Sequence, residues 1–172
     1  MVLVYSESWE GKFKKSTYEA VSYAAEVAKK MNATVVAVSI GNVSTEDLSA
    51  LGKYGANKVL SIKGDSAGTL QPGAFAAVLA DAANNIGAKT IILSHTYTGK
   101  SVAPRLAVRL KAGCVTGAVQ LPSSTAPFTV RKKCYSNKGL TDVTIHTPVA
   151  VVAITPNSYQ VNTGAGTASV EE

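Results

Sequence analysis

Short apolar runs alternate with amphipathic segments from the first residues to Leu121. β-Branched and aliphatic residues dominate these runs, which predict five strands at Val2–Ser6, Thr34–Ile40, Lys58–Ile62, Thr90–Leu93 and Val115–Leu121. The second run carries no charge, which is typical of a strand covered on both faces. The intervening segments have apolar residues at helical spacing. The pattern therefore predicts repeated β-α units.

Polar residues mark the expected starts of the first two helices. Ser16 is followed three residues later by Glu19, which predicts a capping box at the start of a helix. Ser44 and Asp47 predict a second helix start by the same logic. Gly55 is expected to end this second helix.

Two prolines mark the expected starts of the later helices. After a Gly- and Ser-rich loop at Lys63–Leu70, Pro72 is expected in the first turn of the third helix, because its missing N–H is unpaired there anyway. Gly87 is expected to end this helix, whose apolar stripe consists of Phe75, Val78, Leu79, Ala82, Ala83 and Ile86. The fourth helix is predicted over Ser101–Ala112, with Pro104 in its first turn.

The alternation of predicted strands and helices ends after Leu121. Three strand patterns, Phe128–Tyr135, Leu140–Thr147 and Val149–Thr155, follow with no room for helices between them. They are predicted to pair antiparallel or to extend the sheet edge. From Pro156 the chain is polar and Gly-rich, and it predicts a linker or frayed tail without a packed element.

These elements predict an α/β fold. The alternation of strands and helices indicates three layers, with a mostly parallel, Rossmann-like sheet between helices and additional antiparallel strands at the C-terminal end. One domain is predicted over residues 1–159, followed by a Gly/Thr/Ala/Ser linker or tail over 160–172. The composition, with 46% hydrophobic and 16% charged residues, is that of a globular domain.

The net charge of +6 comes from short basic clusters. The clusters fall on different predicted elements, and they lack the regular interleaving with aromatic stacking residues that proteins binding single strands need. They are Lys12, Lys14 and Lys15; Lys29 and Lys30; Arg105, Arg109 and Lys111; and Arg131, Lys132 and Lys133. A solvated face or a surface for an acidic partner explains them better than nucleic acid does.

No apolar run approaches the roughly 20 residues of a membrane span. Because the chain opens on a strand pattern, no targeting segment and a cytoplasmic location are expected.

No complete catalytic or metal site is visible. The two cysteines, Cys114 and Cys134, lack metal-binding spacing and are expected to be reduced thiols. His95 follows a strand end and His146 alternates with apolar residues, but neither has a partner for acid–base chemistry in the sequence. Gly11 stands alone after the first strand, so no dinucleotide fingerprint is present.

Two loops compete as a ligand site, because ligands of such sheets bind beyond the carboxyl ends of the strands. The loop Glu7–Lys15 contains Glu7 and Glu10, which are expected to be ionised and solvated. It also contains Trp9, for which a contact surface and packing on the same domain are equally open.

The second loop resembles the end of a phosphate-binding loop. Thr98-Gly99-Lys100-Ser101 fits the final part of GxxxxGK[ST], but Ser94 stands where that pattern requires its first Gly. The candidates for a weak anion or nucleotide site are Thr96, Thr98, Gly99, Lys100 and Ser101, at a helix start that could hold a phosphate. The competing interpretation is a plain capped helix start.

Several strings in the right order resemble the N-terminal domain of the electron-transfer flavoprotein α subunit. The resemblance covers Val2 to about Tyr159 and rests on Val2-Leu3-Val4-Tyr5-Ser6-Glu7, Gly55-Ala56-Asn57-Lys58-Val59-Leu60, Thr96-Tyr97-Thr98-Gly99-Lys100, Ala103-Pro104-Arg105-Leu106-Ala107-Val108-Arg109-Leu110, Val130-Arg131 with Tyr135 and Leu140, and Thr155-Pro156-Asn157-Ser158-Tyr159. It implies a Rossmann-like fold of the adenine nucleotide α-hydrolase-like type.

The sequence also departs from that family. Ser94 and Ser101 stand where the family often has Gly and Asp, and Ser136–Gly139 replaces its usual Ala-Gly-x-Ala turn. These departures weaken the expectation of a ligand at Thr96–Ser101. The Gly-Arg-Gly and Ser-Arg strings of the family's C-terminal flavin domain do not occur, so this domain is expected to be missing from the chain.

The resemblance implies a role in electron transfer. The complete heterodimer of the family holds one FAD and carries electrons from dehydrogenases, often acyl-CoA dehydrogenases, to a quinone-linked acceptor. On this interpretation the domain is a scaffold that packs on the β subunit and supports the flavin domain, with no catalytic residue of its own and no flavin held by this segment alone. The alternative is a stand-alone adenine-nucleotide-binding module of the universal-stress-protein type, using the Thr96–Ser101 loop.

Overall fold

A mixed β-sheet lies between two helical layers in the computed structural model, which describes residues 1–64 and 70–172. The strands are β1 (Val2–Tyr5), β2 (Ser8–Trp9), β3 (Lys12–Phe13), β4 (Val35–Ile40), β5 (Lys58–Ile62), β6 (Thr90–Ser94), β7 (Gly113–Ala118), β8 (Ser124–Thr125), β9 (Phe128–Cys134), β10 (Gly139–Ile145), β11 (Ala150–Ile154) and β12 (Ser169–Glu171). The helices are α1 (Lys15–Lys30), α2 (Thr45–Ala50), α3 (Pro72–Asn85) and α4 (Tyr97–Leu110), and a 3₁₀ turn at Leu51–Tyr54 follows α2.

The main sheet has the strand order β10-β9-β7-β11-β6-β1-β4-β5-β12. All neighbours from β7 to β12 in this order are parallel, whereas β9 and β10 are antiparallel to their neighbours. Strand β4 is buried along its whole length, which confirms that this run is covered on both faces. The predicted α/β fold with a mostly parallel sheet is confirmed.

Each face of the sheet packs against its own helices, because successive side chains of a strand point to opposite faces. Val2 and Val4 of β1 belong to the core cluster that includes α1 and Leu48 of α2. Leu3 and Tyr5 belong to the cluster formed with α3 and α4. The three-layer arrangement follows directly from this alternation.

Four of the helix signals are confirmed, and the first is Pro72, which opens α3 as expected. The Ser44 hydroxyl accepts a hydrogen bond from the Asp47 N–H at 3.2 Å, as expected of an N-cap. Gly55 and Gly87 have φ of +105° and +64°, so both adopt the left-handed conformation that closes a helix. The loop expected at Lys63–Leu70 lies largely outside the described residues, because residues 65–69 are not among them.

The capping box expected at Ser16 and Glu19 is wrong. Helix α1 begins at Lys15 with Lys14 as its N-cap, and no side chain caps it. Glu19 turns into the protein, where its side chain is 1% exposed and its Oε2 accepts a hydrogen bond from the Asn157 N–H at 2.8 Å. A long-range partner therefore takes the carboxylate that the local pattern assigned to the helix start.

The expected start of the fourth helix at Ser101 is also wrong. Helix α4 begins at Tyr97, with Thr96 as its N-cap, and Pro104 lies inside the helix. Proline is favoured in the first turn of a helix, but α4 accommodates Pro104 in its interior. The candidate anion residues consequently lie on the cap and first turns of α4.

The last strand pattern does not lie at the sheet edge. Strands β9 and β10 pair antiparallel as expected, but β11 inserts between β6 and β7 and is parallel to both. The full burial of β11 explains its uniformly apolar sequence, because a central strand is covered on both faces.

The tail expected to lack a packed element ends in a strand. Residues 169–171 form β12, which pairs parallel with β5. Before it, the Ala168 N–H donates to the Ser49 carbonyl at 3.0 Å and the Gly164 N–H donates to the Lys53 carbonyl at 2.6 Å. Backbone hydrogen bonds attach this segment to β5 and to the region of α2. The pattern of side chains along the sequence does not predict backbone bonds of this kind. The domain boundary at residue 159 stays a prediction.

Candidate functional site

The order in which the chain adds strands to the sheet reverses at β1. The carboxyl ends of β1 and β6 are therefore the expected position for a ligand. From β1 the chain proceeds to β4 and β5 on one side, then crosses to β6 on the other. The loops that leave β1 and β6 therefore diverge and leave a crevice between them, where α/β proteins bind their ligands. These two loops are the ones that the sequence singled out.

A hydrogen-bonded bridge joins the two loops at this point. The Thr96 hydroxyl donates to Glu7 Oε2 at 2.6 Å and accepts from the Gly99 N–H at 3.1 Å. The Thr17 hydroxyl of α1 donates to the Glu7 carbonyl at 2.5 Å. Glu7 is half-buried in this bridge, so the expectation of a solvated carboxylate is wrong for Glu7.

Gly99 allows the start of α4 to lie directly on the end of β6. A Cβ built on Gly99 would lie 1.8 Å from the carbonyl oxygen of Ser94, far inside van der Waals contact. The glycine of the phosphate-loop-like string therefore has a packing role in this structure.

The five candidate anion residues come together at the α4 start, but most of their polar groups have internal partners. The Gly99 N–H is bonded to Thr96, and the Ser101 hydroxyl donates to the Thr98 carbonyl at 2.8 Å. Lys100 is exposed. The Glu7 carboxylate stands beside the helix N-terminus, where negative charge is favourable. A phosphate would meet this charge, and anion binding here stays a prediction.

Replacement of Thr96 by valine is expected to lower the free energy of unfolding by about 1–2 kcal/mol, the usual cost of losing an N-cap. The change removes both the cap and the bond to Glu7. Urea denaturation measures it, with Thr98→Val as the control because the Thr98 hydroxyl forms no hydrogen bond within the described part of the chain. Equal losses in the two variants would contradict the role of Thr96.

His95 lies beside the bridge in a half-buried position. The backbone N–H of His95 donates to the Ile154 carbonyl at 2.7 Å. A Cβ on Gly117 would lie 3.5 Å from Nδ1 of the His95 ring. Burial lowers the pKa of His95, and the charges of Lys100 and Lys132 lower it further. The lowered pKa favours the neutral imidazole, and no carboxylate of the described residues pairs with His95 as a catalytic histidine requires.

The lowered pKa makes stability depend on pH. The unfolded chain binds the His95 proton at about pH 6.5, and the folded chain binds it only at lower pH. Between these values the unfolded state binds more protons, so stability is complete above about pH 7 and falls as the pH drops. In thermal unfolding, His95→Asn is expected to flatten this slope relative to the original protein. An unaltered slope in His95→Asn would refute the assignment.

The hairpin β2–β3 projects Trp9 into solvent. Trp9 is 63% exposed, and its ring contacts the Lys14 ammonium at 5.1 Å from the centroid. At the other strand of the hairpin, Lys12 forms a 2.9 Å ion pair with Asp47, which lowers the pKa of that carboxyl. Packing of Trp9 into its own domain is therefore wrong, and its use as a contact surface stays a prediction.

The remaining candidates form no chemical site. Cys114 and Cys134 are both free, and burial raises the pKa of the Cys114 thiol, against a smaller opposing effect of Lys132. His146 is exposed just beyond β10. Within residues 1–64 and 70–172, no three His, Cys, Asp or Glu side chains come close enough to hold a metal ion. None of the helices in these ranges has the length and apolar character that crossing a bilayer requires.

Sequence reasoning missed two features of this region. The Glu7–Thr96 bond and the buried Glu19 each join residues far apart in the chain. The sequence showed Glu7 directly after a buried strand and Thr96 three residues before Gly99. It could not show that the two side chains meet, because this depends on β1 and β6 being neighbours in the sheet.

Comparison with known proteins adds an independent result. The family model described as electron transfer flavoprotein domain matches residues 2–172. The electron transfer flavoprotein subunit alpha of Syntrophomonas wolfei is 28% identical over 97% of this chain and 51% of the relative. That of Bacillus subtilis is 26% identical over 92% of this chain and 48% of the relative.

A further relative carries a different name. The acryloyl-CoA reductase electron transfer subunit beta of Anaerotignum propionicum is 28% identical over 70% of this chain and 33% of its own length. The chain spans about half the length of the α subunits it matches. Since the family model covers nearly every residue, the chain belongs to the electron transfer flavoprotein family and corresponds to the N-terminal domain of its α subunit.

Proposed function

We propose that this chain is the scaffold and interaction domain of a heterodimeric electron transfer flavoprotein that carries electrons from primary dehydrogenases, such as acyl-CoA dehydrogenases, to the respiratory chain. The observation that carries the proposal is the family match over residues 2–172.

The described residues do not fit a flavin dinucleotide at the carboxyl edge of the sheet. A pyrophosphate at the α4 start would lie against the Glu7 carboxylate, which is already bonded to Thr96. The first loop has no Gly-rich turn to bring backbone N–H groups toward a pyrophosphate. We therefore propose that FAD is held in the complete heterodimer by the C-terminal flavin domain. We also propose that the assembly is cytoplasmic.

The test is a titration of this domain with the β subunit of the same organism in the presence of FAD, followed by size exclusion and flavin absorbance. We expect a complex with the β subunit that retains little flavin, because the flavin domain is absent from the mixture. Failure to associate, or stoichiometric flavin bound to this domain alone, would overturn the proposal.

The second candidate is a stand-alone adenine-nucleotide-binding module. The exposed Lys100 at the start of α4 favours it, since a cation and a helix N-terminus together attract phosphate. Calorimetric titration with ATP and AMP tests this alternative. Because of the Glu7 carboxylate we expect no binding up to millimolar nucleotide, and a micromolar dissociation constant would favour the module.

A further inference from the structure

Four serines form one row across four neighbouring strands at the carboxyl end of the sheet. Ser39 of β4 pairs in register with Ser61 of β5. Ser6 follows β1, where its N–H donates to the Val38 carbonyl at 2.8 Å, so it continues the pairing of β1 with β4 beside Ser39. Ser94 ends β6, two residues after Ile92, the partner of Val4. The row therefore runs from Ser94 through Ser6 and Ser39 to Ser61.

All four side chains point toward the helical layer formed by α1 and α2. The residues two positions before them, Ile92, Val4, Ala37 and Val59, all belong to the core cluster that contains α1. Side chains two residues apart on a strand share a face. Each serine is at most 3% exposed, so bulk water does not reach the row.

Within the part of the chain that the structure describes, one of the four hydroxyls has a protein partner. Ser94 Oγ donates to the Ser16 carbonyl in the first turn of α1 at 2.7 Å. The hydroxyls of Ser6, Ser39 and Ser61 have no hydrogen-bond partner among the described residues. A buried hydroxyl without a partner is destabilising, and folded proteins rarely tolerate one. Three adjacent ones point to a shared partner.

The strand spacing fits water as that partner. Neighbouring strands lie about 4.8 Å apart, too far for two serine hydroxyls that point the same way to bond without turning toward each other. One water molecule, with hydrogen bonds of about 2.8 Å on either side, spans such a gap. Buried waters typically make two to four hydrogen bonds to polar groups that otherwise lack them.

We propose that the row Ser6–Ser39–Ser61 is a site for two internal water molecules, one between Ser6 and Ser39 and one between Ser39 and Ser61. The central hydroxyl contacts both waters, and the row links the ends of β1, β4 and β5 beneath the helical layer. The row reaches the end of β1, so the water beside Ser6 fixes the strand that carries one of the two loops of the β1–β6 crevice.

The test is the thermal unfolding of Ser39→Ala, a change too small to prevent folding. If two waters use the Ser39 hydroxyl, its loss lowers the midpoint by about 2–5 °C in a domain of this size. If the Ser39 hydroxyl has no hydrogen-bond partner, its replacement by alanine removes a buried polar group without breaking a hydrogen bond. The thermal midpoint then stays the same or rises. Ser94→Ala, which loses a bond to a protein carbonyl, provides the scale for one hydroxyl.

A crystal structure at high resolution gives a second, independent measurement. We expect two ordered waters, each within hydrogen-bonding distance of two of the three serine hydroxyls, and the loss of both in Ser39→Ala. Serine hydroxyls bonded directly to one another, or an unchanged midpoint in Ser39→Ala, would overturn the proposal.

Discussion

Replacement of Glu19 by alanine is expected to lower the free energy of unfolding by about 3 kcal/mol, the scale of breaking a buried charged contact. Glu19 is almost fully buried, and its carboxylate holds the Asn157 N–H at 2.8 Å while the Lys15 ammonium lies 3.6 Å away. Alanine leaves that N–H without its partner and creates a cavity beneath α1. The cost of the unpaired N–H and the cost of the cavity therefore add.

The same change is expected to loosen the segment that follows β11. This segment lies along α1 through the Glu19–Asn157 bond, the edge-on contact of Tyr23 with Tyr159 at 5.4 Å, and the hydrogen bonds between Ser22 and Asn162. Hydrogen exchange at the Asn157 amide measures the local effect, and urea denaturation measures the global one.

Glu19→Gln is the matched control. Glutamine keeps the shape and an acceptor oxygen for the Asn157 N–H but loses the attraction to Lys15, so a loss of about 1 kcal/mol is expected. Equal losses for Ala and Gln would show that the negative charge, and not the acceptor, is what Glu19 contributes. A Glu19→Ala variant as stable as the original protein would contradict the contact.

Replacement of Gly99 by alanine is expected to cost about 3 kcal/mol or more, the upper range of overpacking a close contact. The new Cβ would lie 1.8 Å from the Ser94 carbonyl oxygen, which is strand backbone and cannot turn aside as a side chain does. To relieve the overlap, the start of α4 must move away from the end of β6. This movement breaks the Thr96–Glu7 bond between the two loops of the crevice.

Gly73→Ala is the matched control, because it places the same methyl group in the first turn of α3. A Cβ at Gly73 meets no atom within 4 Å in the ranges 1–64 and 70–172, so a small gain from higher helix propensity is expected. Urea denaturation compares the two variants directly. If Gly99→Ala is as stable as Gly73→Ala, the close approach of α4 to β6 is wrong.

The sequence determined the element types and most of the order of the fold. Thr34–Ile40 is uncharged and rich in β-branched residues, and Val35–Ile40 within it forms a strand buried on both faces, because charged side chains are costly in a covered strand. Ser44, Gly55 and Gly87 ended or began helices as expected, since capping depends on groups within a few residues. The strings that resemble the α subunit also gave the family, which the family model confirms.

Only the tertiary structure decided where the β11 and β12 strands lie and which polar groups meet. The Val149–Thr155 pattern specifies a buried strand but not its neighbours, because pairing between strands is a contact of residues far apart in the chain. Glu19 fits a capping box by spacing, yet Asn157 is its partner across 138 positions. The row Ser6, Ser39 and Ser61 exists only because β1, β4 and β5 are neighbours in register. Local patterns fix local hydrogen bonds, whereas these long-range contacts form only when the whole sheet assembles.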